Sequence, residues 1–156
     1  MADPVSPRAA VPMLSYEDVG AAVEWLCDAF GFRETGERYA DDDGRVTHAE
    51  IELDGAVVYL GWPGEDYMSP ARHAAACEYA RRWSEVPFIV NGVHIMVDDV
   101  DAHCERARAA GATILREPKA EPYGRLYNAA DLDGQRWMFM EPPASGSATA
   151  STGSTS

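Results

Sequence analysis

Three side chains on one predicted hairpin have the types and spacing for acid–base work: His48, Glu50 and Tyr59. Asp54-Gly55 is a two-residue turn signal that closes a hairpin. Pairing across it sets Leu53 opposite Ala56, Glu52 opposite Val57 and Glu50 opposite Tyr59. Side chains alternate along a strand, so His48, Glu50 and Glu52 share a face with Tyr59. Ala49, Ile51, Leu53, Val58 and Leu60 take the other face, which is apolar enough to pack on a helix. Imidazole titrates near neutrality and burial can raise a carboxyl, which suits His48 and Glu50 to proton transfer. The same residues also allow a non-standard metal site, or a hydrogen-bonded polar cluster in a wet cleft. Sequence leaves these readings open.

The elements that must position them follow from periodicity. Residues 11–16 read as a strand. Asp18 is a helix N-cap, and Val19, Ala22, Val23, Leu26, Ala29 and Phe30 then recur at helical spacing until Gly31. Strands are expected at 32–39, 45–53 and 56–61. The pattern returns with a strand at 92–97, a helix capped by Asp99 and stopped by Gly111, and strands at 113–116, 124–129 and 135–141. Asp18-Val19 matches Asp99-Val100 at an offset of 81, Gly31 matches Gly111 at 80, and Asp54-Gly55 matches Asp133-Gly134 at 79. Three landmarks so close to one offset indicate an internal duplication. Each half has one helix to cover one sheet face. The other face is expected to meet its counterpart around a hollow. The expected organisation is an extension at 1–10, one domain at 11–142 and a flexible Ala/Ser/Gly/Thr tail at 143–156. The domain divides into module one at 11–61, an insertion at 62–91 and module two at 92–142. The insertion carries helix formers over 72–83 and is expected to supply a helix or lid.

Several stretches together resemble the vicinal-oxygen-chelate superfamily, the glyoxalase and bleomycin-resistance group. They are Leu14-Ser15-Tyr16-Glu17-Asp18-Val19, Ala29-Phe30-Gly31-Phe32, His48-Ala49-Glu50, Val97-Asp98-Asp99-Val100-Asp101, Ala109-Ala110-Gly111-Ala112, Pro122-Tyr123-Gly124 and Asp131-Leu132-Asp133-Gly134-Gln135-Arg136-Trp137. The resemblance implies an α+β fold of two βαβββ modules with mixed sheets around a cavity. It makes the His48–Tyr59 face the cavity face, where His94 would converge with His48 and Glu50. Metal-dependent members hold a divalent ion with His, Gln or Glu from four strands. Here those positions carry over to Val11, Tyr59, His94 and Met138. Valine offers no lone pair, thioether suits soft ions, and tyrosine ligates mainly after deprotonation, so no cofactor is expected except a divalent ion at a non-standard site. The resemblance also implies a homodimer.

A pocket mouth is expected where aromatics gather: Trp62, Tyr67, Trp83 and Phe88 around the insertion, and Tyr123 and Tyr127 beside the seventh strand. Trp62, Tyr67 and Tyr127 would stack on a flat or cationic ligand. Met13, Met96, Met138 and Met140 share cavity-facing parity and would adapt to a bulky apolar ligand, unless they simply fill core. Trp25, Phe30 and Phe139 are assigned to the core, and Trp137 should point away from the cavity. His103 is read as surface and His73 as a solvated lid residue.

Composition narrows the function classes. Of 156 residues, 46% are hydrophobic and 25% charged, which is globular rather than disordered. Lys plus Arg total 13 against 26 Asp plus Glu, a net charge of −13. Such a chain repels phosphate backbones and anionic membranes, so neither nucleic acid nor a membrane is expected as partner. The same field favours a cationic ligand, although solubility alone explains many acidic surfaces. Three dispersed cysteines and the lack of a secretory pattern suggest a cytoplasmic protein. No glycine-rich loop leads from a strand into a helix, so no nucleotide site is indicated. The expectation is a protein that sequesters a cationic or aromatic natural product, as drug-resistance members do. The alternative is a lyase, isomerase or dioxygenase-type enzyme using His48, Glu50, Tyr59 and His94.

Overall fold

The computed structural model describes residues 10–87 and 91–143. Phe88 and the tail from 144 lie outside them, as does the extension before residue 10. Module one runs β1 (Met13–Ser15), α1 (Val19–Phe30), β2 (Arg33–Ala40), β3 (Val46–Leu53), β4 (Ala56–Gly61). The insertion forms α2 (Pro70–Ala76) and α3 (Glu78–Ser84). Module two runs β5 (Gly92–Met96), α4 (Val100–Ala109), β6 (Thr113–Glu121), β7 (Gly124–Ala130), β8 (Arg136–Glu141). The two sheets have one topology, β1-β4-β3-β2 and β5-β8-β7-β6, with the first pair of each parallel and the rest antiparallel. The α+β duplication is therefore present element by element.

Local chemistry explains the boundaries. Asp18 and Asp99 cap their helices alike, each carboxylate accepting from the backbone N–H three residues on at 2.9 Å. Gly31 ends α1 at φ 79°, a left-handed conformation that glycine adopts without strain. The hairpin register is the expected one, with Leu53 level with Ala56 and Glu50 level with Tyr59.

Two expectations need correction. The single insertion helix is two, because Cys77 is extended (φ −138°, ψ 119°) and serves both as the end of α2 and the start of α3. The sixth strand does not stop at Arg116. It continues to Glu121 because a register irregularity between Arg116 and Lys119 takes up Pro118 on this edge strand.

The helix-side faces of both sheets share one core. Helix α1 packs on α4, and Phe30 lies 5.5 Å from Trp137 and 4.7 Å from Phe139, ring centre to ring centre. The opposite, outer faces carry His48, Glu50 and Tyr59 on one sheet and His94, Met96, Met138 and Met140 on the other, by register. Met13 and Met96 remain exposed on them. Among the described residues, no helix is long and apolar enough to cross a membrane.

Candidate functional site

The acid–base trio forms on the outer face of sheet one. His48 Nε2 lies 3.5 Å from Glu50 Oε1, a loose contact, and its ring meets Tyr59 edge-on at 5.2 Å. Gly36 makes room for Glu50. A Cβ there would stand 2.9 Å from Glu50 Oε2, and its φ of 67° suits glycine. The structure does not bring His94 to this group. It stands exposed on β5 of the other sheet, level with Met138.

The family's four ligand positions can now be placed. Val11 precedes β1, and the residue level with Tyr59 is Met13. Tyr59 and Met13 lie on one sheet, His94 and Met138 on the other. One imidazole, one phenol and two thioethers do not suit a hard or borderline divalent ion, so these residues do not fit the group the fold family implies.

A different site is built by the insertion. Its start is tied down: Ser69 N–H and Arg72 Nη1 both donate to Glu17 Oε1 at 2.9 Å, and Ala71 N–H donates to the Asp133 carbonyl at 2.9 Å. Gly134 permits this approach, since a Cβ there would meet Ala71 N at 2.8 Å. Its far end is held where Arg136 Nη2 donates to the Trp83 carbonyl at 2.8 Å. Between these ties, α2 and α3 overhang one end of sheet two and border a half-open pocket of about 900 Å3. Met68, Tyr67, Trp83 and Leu115 supply much of its apolar wall. Arg136 and Gln135 supply polar groups. Gln135 Nε2 is already committed to the Ser15 carbonyl at 2.9 Å. The lining carboxylate, Asp131, accepts from Tyr16 Oη and Trp137 Nε1, and from the N–H groups of Asp133 and Gln135.

The sequence-predicted aromatics separate. Tyr67 lines this pocket while its hydroxyl donates to the Ser15 carbonyl at 2.9 Å. Trp62 does not line it. The Arg45 guanidinium covers its ring at 4.1 Å, and it borders a smaller polar recess of about 310 Å3. Tyr123 is exposed in the turn before β7, and Met96 is exposed on the β5 edge opposite Met140. Met138 is half-buried on the outer face between His94 and Asn128.

Tyr127 is not at a pocket mouth. It is fully buried on the helix side, its ring stacked on Phe139 at 5.3 Å. His103 is not a surface residue either. It bridges the modules, Nε2 donating to the Phe30 carbonyl and Nδ1 accepting from the Tyr127 hydroxyl, each at 2.7 Å. Burial lowers its pKa. Trp137 points into the core as expected.

Sequence reasoning missed Arg136 as a pocket residue. The signal was available, because Arg136 has the parity of Met138 and Met140 on β8.

Comparison with known proteins agrees with this architecture. The family described as Glyoxalase/Bleomycin resistance protein/Dioxygenase superfamily matches residues 8–139. Uncharacterized protein Rv0887c of Mycobacterium tuberculosis is 29% identical over 143 residues, covering 91% of this chain and 78% of its own length. The crystal structure of TioX from Micromonospora sp. ML1 is 30% identical, with a TM-score of 0.62 over 88% of this chain and 98% of that one. TnmS3, an antibiotic binding protein from Streptomyces sp. CB03234, shares the fold at 21% identity and a TM-score of 0.54, covering 88% and 98%.

Proposed function

Since the chain belongs to the glyoxalase/bleomycin resistance protein/dioxygenase superfamily, we propose that it is a small-molecule-binding member that sequesters an aromatic organic compound under α2 and α3. We propose further that it works without a divalent ion at the family's ligand positions. The observation that carries this reading is the half-open pocket. Its volume of about 900 Å3 falls within the span typical of ligand sites, and its walls are mainly apolar and aromatic. The donor chemistry of Met13, Tyr59, His94 and Met138 supports the metal-free part. A fold neighbour described as antibiotic-binding supports the class of activity. Of the two ligand properties expected from sequence, aromatic character has the support of Tyr67 and Trp83, while cationic character rests on net charge alone.

Titration with a neutral fluorescent aromatic amine, N-phenyl-1-naphthylamine, tests the pocket. Saturable binding is expected, weakened about tenfold or more by Leu115→Trp, which fills the space. Absence of saturable binding would refute it, and so would binding that Leu115→Trp leaves unchanged. Stoichiometric divalent metal in the purified protein would overturn the metal-free part.

A second reading has its own observation, the contact of His48 with Glu50 and Tyr59. In it the outer faces form an acid–base cleft, and a second copy of the chain supplies the face bearing His94. The exposure of Met13 (65%) and Met96 (46%) favours such a homodimer. Sedimentation analysis tests the dimer. Loss of turnover in His48→Ala or Glu50→Gln, on a substrate found by screening, would favour the enzyme.

A further inference from the structure

Arg136 is the residue of the pocket that the fold leaves unmatched. Its side chain stands on the pocket floor at the start of β8 and is only 7% exposed. Nη2 is used on the Trp83 carbonyl, but Nε is buried with no acceptor. Among the described residues no carboxylate lies within ion-pair distance of this guanidinium. Arg33, Arg38, Arg45, Arg72, Arg81, Arg108, Arg116 and Arg125, by contrast, all have acidic partners, and Arg82 and Arg106, which have none among the described residues, are exposed to water.

The contrast is informative in a chain with 26 acidic residues for 13 basic ones. A carboxylate partner was easily available, and none was placed there. A buried cation without a counter-charge is expensive to maintain. The lining carboxylate, Asp131, is no substitute, because its oxygens are taken up by Tyr16, Trp137 and two backbone N–H groups. Desolvation lowers the pKa of Arg136, which fits a charge held away from both water and acid. Guanidinium groups remain protonated in proteins, so the pocket presents a cation.

A planar fork of donors matches a carboxylate better than any neutral acceptor. The neighbouring walls, Tyr67, Met68, Trp83 and Leu115, match a flat apolar body. We propose that Arg136 is the anion-recognising residue of this pocket and that its ligand is an aromatic carboxylic acid, bound as the carboxylate. This deepens the pocket reading above and rests on it. It also reverses the charge preference suggested by the net charge of −13. Most of that charge lies on the solvent-exposed surface, where salt screens it over about 8 Å, whereas the Arg136 contact is direct and desolvated.

The test compares three probes of one shape on the full chain by calorimetry near neutral pH: naphthalene-2-carboxylate, naphthalene-2-carboxamide and protonated 2-(aminomethyl)naphthalene. The carboxylate is expected to bind about tenfold or more tightly than the amide, with the amine weakest. Arg136→Met also removes the tie to the Trp83 carbonyl and so lowers the binding of every probe, but within that variant the carboxylate should fall to the level of the amide. Arg136→Lys should keep part of the preference, having charge without the fork. Equal binding of all three probes by the unmodified protein would retain the pocket and overturn the role of Arg136. A preference that survives in folded Arg136→Met would do the same. Binding of none of the three would overturn the pocket itself, and this inference with it. The comparison in the unmodified protein decides the matter even if the variants do not fold.

Discussion

The Tyr16 hydroxyl donates to Asp131 Oδ2 at 2.6 Å and joins the two modules inside their common core. Trp137 Nε1 donates to the same oxygen at 2.9 Å, while Asp133 and Gln135 N–H groups hold Oδ1. These donors favour the carboxylate, but burial outweighs them and pushes Asp131 up to about 6 from 3.8. The folded state therefore binds this proton more strongly than the unfolded state. The stabilisation is complete below about pH 4, where both states are protonated, and is lost as pH rises through about 6. The shift corresponds to on the order of 3 kcal/mol. Urea unfolding followed by tryptophan fluorescence should show this fall, and Asp131→Asn should abolish it while leaving the Trp137 N–H without its acceptor.

His103 acts in the opposite direction. Burial depresses its pKa below 6.5, so the unfolded chain takes up this proton first as pH falls. Its contribution is present above about pH 6.5 and is lost on acidification. In the unmodified protein this loss overlaps the gain from Asp131. Between about pH 5.5 and 7, above the range where the paired carboxylates titrate, the Asp131→Asn variant should expose it as a stability that declines with falling pH, and adding His103→Gln should flatten the profile there. A flat profile in Asp131→Asn alone would show that His103 is not held neutral.

Gly36 allows β2 to bend around Glu50. Alanine there must adopt φ 67° and place its Cβ 2.9 Å from Glu50 Oε2. The left-handed backbone alone costs about 1 kcal/mol or more, and displacement of the carboxylate adds to it. A lowered urea midpoint is expected for Gly36→Ala. Glu50→Ala in the same background should recover part of the loss, because it removes the clash and leaves the backbone strain.

Glu17 fastens the overhang of the pocket through Ser69 N–H and Arg72. Replacing it by alanine should speed hydrogen exchange of amides in 69–76 and weaken aromatic probe binding, with little effect on the exchange of α1. Equal protection in α2 would show that the Asp133 carbonyl and Gly134 contact hold this end alone.

The duplicated fold was legible because its signals are local. Asp18 and Gly31 bound a helix whose apolar spacing needs no tertiary information, and Asp54-Gly55 sets the register that brings Glu50 level with Tyr59. The site was less legible because it depends on contacts between distant segments. Trp83 and Arg136 are 53 residues apart, and no period reveals that they meet. Alternation in a strand gives two faces but does not say which one the other module covers. That is why His94 was expected beside His48. Tyr127 was a different kind of miss, since its register with Phe139 already placed it on the core side. His103 follows from helix geometry: next to buried Cys104, it lies at the margin of the packed face rather than opposite it.

The paired caps test the duplication energetically. Asp18 (φ −132°, ψ 100°) and Asp99 (φ −136°, ψ 98°) have nearly identical backbones and the same 2.9 Å bond to the third N–H of their helices. Alanine at either position should cost about 1 kcal/mol, from one unsatisfied helix donor. Asparagine should restore most of the loss at both, since its side-chain oxygen can accept the same bond. Similar costs would mean that each module relies on its cap to the same degree. A loss at Asp99 much larger than at Asp18 would instead mark α4 as the weaker helix. That outcome has a physical basis, because α4 buries only Val100, Cys104 and Ala107 whereas α1 buries six side chains.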